Sequence, residues 1–323
     1  MARWVDGYAI GTFSCGADTF VGLVTGDQVV RLEPASAAGV GPLTVRAVLE
    51  QWELWGPRLG ELARTVKPGH GVPLTELVVH APHEPRQILQ AGANYRSHVV
   101  EILVSGREPG DTRSDKELRA SAEDLMDARA RNGTPFFFSG LPAAMTGPDD
   151  RVVLPAESQC VDWEAELAVV LGRKAHRVSR EQAMDCVAGY TVCNDISARD
   201  LQFPTEHKLL GGDWIRAKNR PTFLPTGPFV VPAALVPDYR DLEISFDLNG
   251  ERMQSDKPAN LLFDVESLIV AASAATVLYP GDLILTGSPA GNGGYWKRWL
   301  RPGDVLEASI SRIGSQRNVC VAE

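Results

Sequence analysis

The segment Asp162-Trp163-Glu164-Ala165-Glu166-Leu167-Ala168-Val169-Val170-Leu171 decides how this chain is read. Its second half is a short apolar run that suits a buried strand. Alternate side chains of a strand share a face, so Glu164 and Glu166 point the same way while Ala165 and Leu167 point into packing. Two carboxylates about 7 Å apart on one face of an apolar strand repel each other and cost desolvation energy if buried. A bound cation resolves both costs. The competing reading of the pair is an edge strand with a solvated acidic face.

A third acid keeps similar company. Asp195 closes the apolar run Thr191-Val192-Cys193-Asn194 and precedes Ile196-Ser197-Ala198-Arg199-Asp200-Leu201-Gln202. Three carboxylates with no His or Cys ligand pattern nearby make a hard, all-oxygen donor set. That set favours Mg²⁺ or Mn²⁺ over Zn²⁺ and also admits Ca²⁺. Three protein ligands leave positions for water and a chelating substrate.

Further out lie groups that could work with such a site. His98 and Glu101 are three apart, on one helical face, the arrangement of a carboxylate-oriented imidazole that activates water. A structural histidine is the plainer alternative. Lys218, in Trp214-Ile215-Arg216-Ala217-Lys218, could bind a substrate carboxylate or polarise a carbonyl; by itself it also reads as a surface lysine. The loop Thr286-Gly287-Ser288-Pro289-Ala290-Gly291 follows an apolar strand and could offer backbone N–H groups to an anion. It lacks the spacing of a dinucleotide or Walker loop.

Around these residues the pattern is mainly strand. Short strands are expected at Trp4 to Thr12, Thr19 to Val24 and Val29 to Leu32, with turns at Gly16 and Gly26-Asp27. Apolar positions at helical spacing fill 44–65, and a Gly and Pro cluster at 68–73 ends that pattern. Residues 1–80 read as a small β-rich N-terminal domain and 81–323 as the main domain. Within the latter, 105–134 is the most polar stretch, a charged helix from Ser114 to Arg131 between joints at Gly106 and Pro109-Gly110, with Ser114 and Glu117 as a capping box. It is either a lid over the site or a surface helix with no catalytic part. After 150, strands are expected at 152–154, 165–171, 190–196, 229–231, 242–248, 283–286 and 305–310, and helices at 179–187 and 264–276. Helices and strands do not alternate regularly, which disfavours a doubly wound sheet.

Bulk properties narrow the partners. The 323 residues carry a formal net charge of −9 and a pI near 5.3, which argues against nucleic acid and anionic membranes. No apolar run of roughly 18 residues is present, so no transmembrane helix is expected. The first residues lack the basic start and apolar core of a secretory signal. Five cysteines, with no CxxC pair, read as reduced thiols in a cytoplasmic protein.

Taken in order, several segments resemble the fumarylacetoacetate hydrolase family over roughly residues 86–320. They are Gly92-Ala93-Asn94-Tyr95-Arg96-Ser97-His98, Asp162 to Gly172, Ala188 through Asp195, Ser197 to Gln202, Arg216-Ala217-Lys218, Gly227-Pro228 and Gly281 to Gly291. The resemblance implies a mixed α/β, mainly β fold, a mixed β-sandwich roll with a smaller N-terminal domain, usually dimeric. It implies Glu164, Glu166 and Asp195 as metal ligands, His98 and Glu101 as a catalytic pair, and Lys218 as the active-site lysine. Arg199 and Gln202 match positions that line the pocket, Thr286 or Ser288 is expected to touch substrate, and Tyr95 joins them from the first motif. The family commonly has a lysine around Phe138-Ser139-Gly140-Leu141-Pro142, where this chain has none, and the loop 292–300 is unusually aromatic. The expected activity is hydrolysis of a carbon–carbon bond in a small 1,3-dioxo acid such as an acylpyruvate, through an enolate stabilised by the metal. Decarboxylation, dehydration or tautomerisation of an oxo-acid uses the same enolate and is the alternative. A non-catalytic relative is disfavoured by intact His98, Glu101 and Lys218.

Overall fold

A computed structural model describes residues 7–33, 42–67, 69–105, 107 and 110–323. Residues 4–6 of the first expected strand, Pro68 of the Gly and Pro cluster, and the expected joints Gly106 and Pro109 lie outside them.

Ala165–Leu171 is a strand buried along its whole length, and its two faces enter two different cores. Leu167, Val169 and Leu171 join one cluster, Ala168 and Val170 the other, which is the period of two read from the sequence. A Leu167→Ala change would cost about 2–5 kcal/mol by opening a cavity in the first. The strand pairs antiparallel with Val187–Asn194 on one side and Leu283–Leu285 on the other. From this centre a large mixed sheet extends both ways. One arm runs through Leu283–Leu285 to Ile88–Gly92 and Phe136–Gly140; the other runs through Val187–Asn194 and Leu224–Pro232 to the N-terminal strands. Tyr8–Cys15 enters the sheet with Ile10 opposite Val230, and Asp18–Thr25 and Gln28–Arg31 follow as hairpins. Gly16 and Gly26, with φ of +60° and +59°, make the turns that only glycine adopts freely.

Helices Val45–Glu50, capped by Thr44, and Trp52–Thr65 cover one face of this sheet, setting Val48, Leu49, Trp55 and Leu59 against Ile10, Ala168 and Val170. The other face packs on a five-stranded sheet ordered Glu251–Asp256, Ile244–Leu248, Val305–Ile310, Gly314–Ala322 and Arg151–Leu154. Trp163 stacks on Phe246 across the gap, ring centroids 5.4 Å apart. Gln316 Nε2 donates to the Val192, Pro225 and Gly227 carbonyls and so ties the second sheet to the first. The fold is mixed α/β and strand-rich, as expected, with no closed barrel among the described residues.

Two differences matter for the site. The strand expected at 190–196 runs Val187–Asn194 and stops one residue before Asp195. Asp195 leaves the ladder, its N–H donating to the Glu164 carbonyl at 2.8 Å, and this turn brings its carboxylate beside the Glu164 strand. Strands Glu251–Asp256 and Gly314–Ala322 were not expected because polar residues run through both, including at the buried positions Gln254, Gln316 and Asn318. Helix Asp115–Asn132 carries the capping box read at Ser114 and Glu117. Among the described residues, no helix is long and apolar enough to cross a membrane.

Candidate active site

Glu164, Glu166 and Asp195 are brought together from three chain positions: just before the central strand, within it, and the turn after its neighbour. Each offers a carboxylate oxygen, and these atoms lie within 4.8 Å of one another. All three side chains are buried. The solvated acidic edge is therefore set aside, since all three acids lie buried in the interior. Glu166 Oε2 accepts from the Gly287 N–H at 2.7 Å. Lys218 Nζ donates to Asp195 Oδ2 at 2.5 Å and also to Glu164. Arg199 donates through Nε to Asp162 Oδ2 at 2.8 Å and through its other arm to Glu164. Lys218 and Arg199 are thus site residues, not surface cations.

The charges do not balance locally. Four buried carboxylates, counting Asp162, face two permanent cations. The consequences differ by residue. Burial raises the Glu164 carboxyl, but Arg199, Lys218 and His98 outweigh it and hold Glu164 below the usual carboxylate range. Burial, then the Asp195 and Glu164 charges, push Glu166 well above that range. Burial, with the Glu164 charge and against the Lys218 ammonium, lifts Asp195 to about 6. Asp195 Oδ1 is buried with no hydrogen-bond partner. An orphaned carboxylate oxygen, two carboxylates held unfavourably and a compact all-oxygen donor set fit a hard divalent cation at this point. Mg²⁺ or Mn²⁺ would be held by Glu164, Glu166 and Asp195.

The other expected residues separate. His98, Arg199, Gln202, Lys218 and Ser288 line one cavity of about 540 Å³ with the three acids. His98 Nε2 lies 3.7 Å from Glu164 Oε1. Burial carries the imidazole down to about 4, the Glu164 charge opposing and Arg199 and Lys218 assisting, so it is neutral at physiological pH. His98 Nδ1 has no hydrogen-bond partner. Glu101 lies on the same helix, Arg96–Ser105, but its Oε2 accepts from the Gly291 N–H at 2.8 Å. The carboxylate-oriented imidazole expected from their spacing is not formed, because the loop backbone takes the carboxylate first. Tyr95 and Thr286 are not part of the cavity wall. Tyr95 is wholly buried in the core, and the Thr286 hydroxyl donates to the Leu167 carbonyl at 3.0 Å.

Several wall residues escaped the sequence reading. Asp162 accepts from the Trp163 and Gly293 N–H groups and orients Arg199, and its place two before Glu164, in D-x-E-x-E, was the available signal. Phe138, Phe203 and Trp214 line the cavity from distant parts of the chain, and Asn292 and Trp299 line it from the aromatic loop. Within the segment 138–142, which holds no lysine, Phe138 places its ring centroid 5.2 Å from Lys218 Nζ. Helix Asp115–Asn132 lies behind the His98 helix, Arg96 Nε reaching Asp127 at 2.9 Å and Arg129 donating to the Ala93 carbonyl at 2.7 Å. None of its residues lines the cavity.

Comparison with known proteins converges on one family. The family model for the fumarylacetoacetate (FAA) hydrolase C-terminal region matches residues 87–321. Oxaloacetate tautomerase FAHD2B, mitochondrial, of Bos taurus is 42% identical over 209 residues, 63% of this chain and 65% of that protein. The chain thus spans just under two thirds of that relative's length. The 2,4-didehydro-3-deoxy-L-rhamnonate hydrolase of Sphingomonas sp. (strain SKA58) is 34% identical, over 78% of this chain and 76% of its own. Among solved structures, fumarylacetoacetate hydrolase from Exiguobacterium antarcticum superimposes with a TM-score of 0.76 at 25% identity, covering 98% of this chain and all of the other. The 2-hydroxyhepta-2,4-diene-1,7-dioate isomerase of Mycobacterium marinum has a TM-score of 0.67 at 27% identity, over 98% and 99% of the two chains.

Proposed function

Because this chain belongs to the fumarylacetoacetate hydrolase family, we propose that it is a metal-dependent enzyme of small 2-oxo acids whose reaction is keto–enol tautomerisation. The observation that carries this reading is the state of His98. Its imidazole is buried with Nε2 3.7 Å from Glu164 Oε1, and among the described residues no carboxylate is bonded to its Nδ1 to orient it for activating water. Moving a proton between a carbon and an oxygen needs such a base and no water. The name of the 42% identical bovine tautomerase agrees.

A divalent cation on Glu164, Glu166 and Asp195 would supply Lewis-acid chemistry, binding the 2-oxo acid end and lowering the cost of negative charge on its oxygen. The chain's own residues do the rest. Arg199, fixed by Asp162, keeps Glu164 ionised and at hand. His98 Nε2 takes the proton from the carbon next to the oxo group and returns it to the enol oxygen. Lys218 faces the same space and donates to negative charge as it develops there. The cavity walls, apolar on much of their area, keep bulk water from competing for that proton.

Hydrolysis of a 1,3-dioxo acid is the second reading. It is favoured by the Sphingomonas hydrolase, which matches this chain over a longer span. In it His98 takes a proton from water, hydroxide attacks the distal carbonyl, and the bond to the enolate breaks. Acetylpyruvate with Mg²⁺ separates the two. Loss of enol absorbance with no cleavage product supports tautomerisation, while pyruvate and acetate in equal amounts would replace it with hydrolysis.

A further inference from the structure

An aromatic path leads from the carboxylates to the cavity mouth. Beside the acids, Lys218 Nζ lies 5.2 Å from the Phe138 ring centroid. Phe138 in turn stacks on Trp214, centroids 4.5 Å apart and planes 29° from parallel. Phe203 meets Trp214 edge-on at 5.8 Å and is half exposed, which places the end of the path at solvent. All three rings line the same cavity as Glu164, Glu166 and Asp195, and Ile102 and Trp299 add further apolar surface.

Charge along this wall runs the other way from what a dianionic substrate needs. The permanent cations among the described lining residues are Arg199 and Lys218, and both are already bonded to carboxylates. Two positive charges of a bound metal would be taken up by the acid triad and the chelating end of the substrate. A second carboxylate placed along the path would leave water and meet aromatic rings with no unpaired cation, a costly exchange. A flat hydrocarbon group in the same place would bury apolar area and stack.

Resting on the reading of the site as one for 2-oxo acids, we infer that the substrate's far end is an aryl group and not a second carboxylate. The Gln202 amide, buried in the same wall, is a neutral donor and acceptor for an oxygen between the two ends. The inference separates this protein from similar ones named for oxaloacetate or a heptadiene-dioate, both of which end in a second carboxylate.

Three probes test it by calorimetry on the full chain with Mg²⁺: oxalate, 4-phenyl-2-oxobutanoate and 2-oxoglutarate. Oxalate reports the metal end alone. The other two share the 2-oxo acid end, have no second oxo group to cleave, and differ in carrying phenyl or carboxylate. Binding of oxalate with a phenyl probe at least about tenfold tighter than 2-oxoglutarate is the expected result. Trp214→Ala should erase that preference, and Phe203→Arg, at a half-exposed position that need not disturb folding, should reverse it, with oxalate affinity unchanged in both. Oxalate binding with 2-oxoglutarate equal to or tighter than the phenyl probe would overturn the inference and leave the proposed function standing. Failure of oxalate to bind with either Mg²⁺ or Mn²⁺ would overturn the proposed function and this inference with it.

Discussion

The Lys218 ammonium lies 2.5 Å from Asp195 Oδ2 and donates to Glu164 as well, so one buried cation bridges two of the three carboxylates that would hold a metal. Burial alone would lower its pKa, but Asp195 and Glu164 raise it, so Lys218 stays charged. Lys218→Met leaves those acids with less compensation. Removing one partner of a buried ion pair costs about 3–5 kcal/mol. The unfolding free energy of the metal-free variant, from urea titration, should fall by that amount, and Mg²⁺ should restore more stability to it than to the wild type. Equal stability of the two metal-free proteins would show that the bridge does not support the fold.

Asp162 acts through Arg199. It accepts from the Arg199 Nε and from the Gly293 and Trp163 N–H groups, fixing one guanidinium arm so that the other reaches Glu164. Asp162→Asn keeps the size and removes the charge. Loss of a partner that orients ligands typically costs about 10–100-fold. We expect kcat/KM to fall by that range while metal affinity measured by calorimetry stays within about threefold. Unchanged turnover would place Asp162 among structural residues.

Glu101 distinguishes two roles by one substitution. Its Oε2 accepts from the Gly291 N–H, docking the His98 helix on the loop that ends the central strand's neighbour. Glu101→Gln retains that acceptor and should keep turnover within about threefold, whereas Glu101→Ala should lose both the dock and activity. A loss of about a hundredfold in the Gln variant, the scale of a lost proton-transfer group, would make Glu101 a partner of His98 after all.

Much of the site was legible because local rules decide it. The strand period puts Glu164 and Glu166 on one face, and the apolar run ending at Asp195 marks the third acid. The Ser114 and Glu117 capping box is likewise local. What was not legible depends on contacts across long spans of chain. Phe138, Phe203 and Trp214 meet only when the sheet edge Phe136–Gly140 and the short helices after Asp195 fold against each other. Spacing on a helix predicted that Glu101 faces His98; it could not reveal that Gly291, 190 positions away, offers a competing N–H.

His83 gives a pH signature away from the site. Its ring is buried, Nε2 donates to the Gly281 carbonyl at 2.6 Å, and burial foremost brings its pKa down from 6.5 to about 4. The folded chain keeps His83 neutral while the unfolded chain takes up a proton below 6.5. This contribution is therefore full above 6.5 and is lost as pH falls from 6.5 toward 4, about 3 kcal/mol in all. His83→Gln, which can still donate to Gly281, should show a flatter stability curve over that window in denaturant titrations. Parallel curves would mean that His83 does not carry the effect.

The proposed chemistry depends on the acid triad holding a divalent ion. Calorimetric titration of metal-stripped wild type and Glu166→Ala with Mg²⁺ and Mn²⁺ tests that most directly. One site per chain in the wild type, weakened at least about a hundredfold by Glu166→Ala, is the predicted result. Undiminished binding by the variant, or none by a folded wild type, would contradict it.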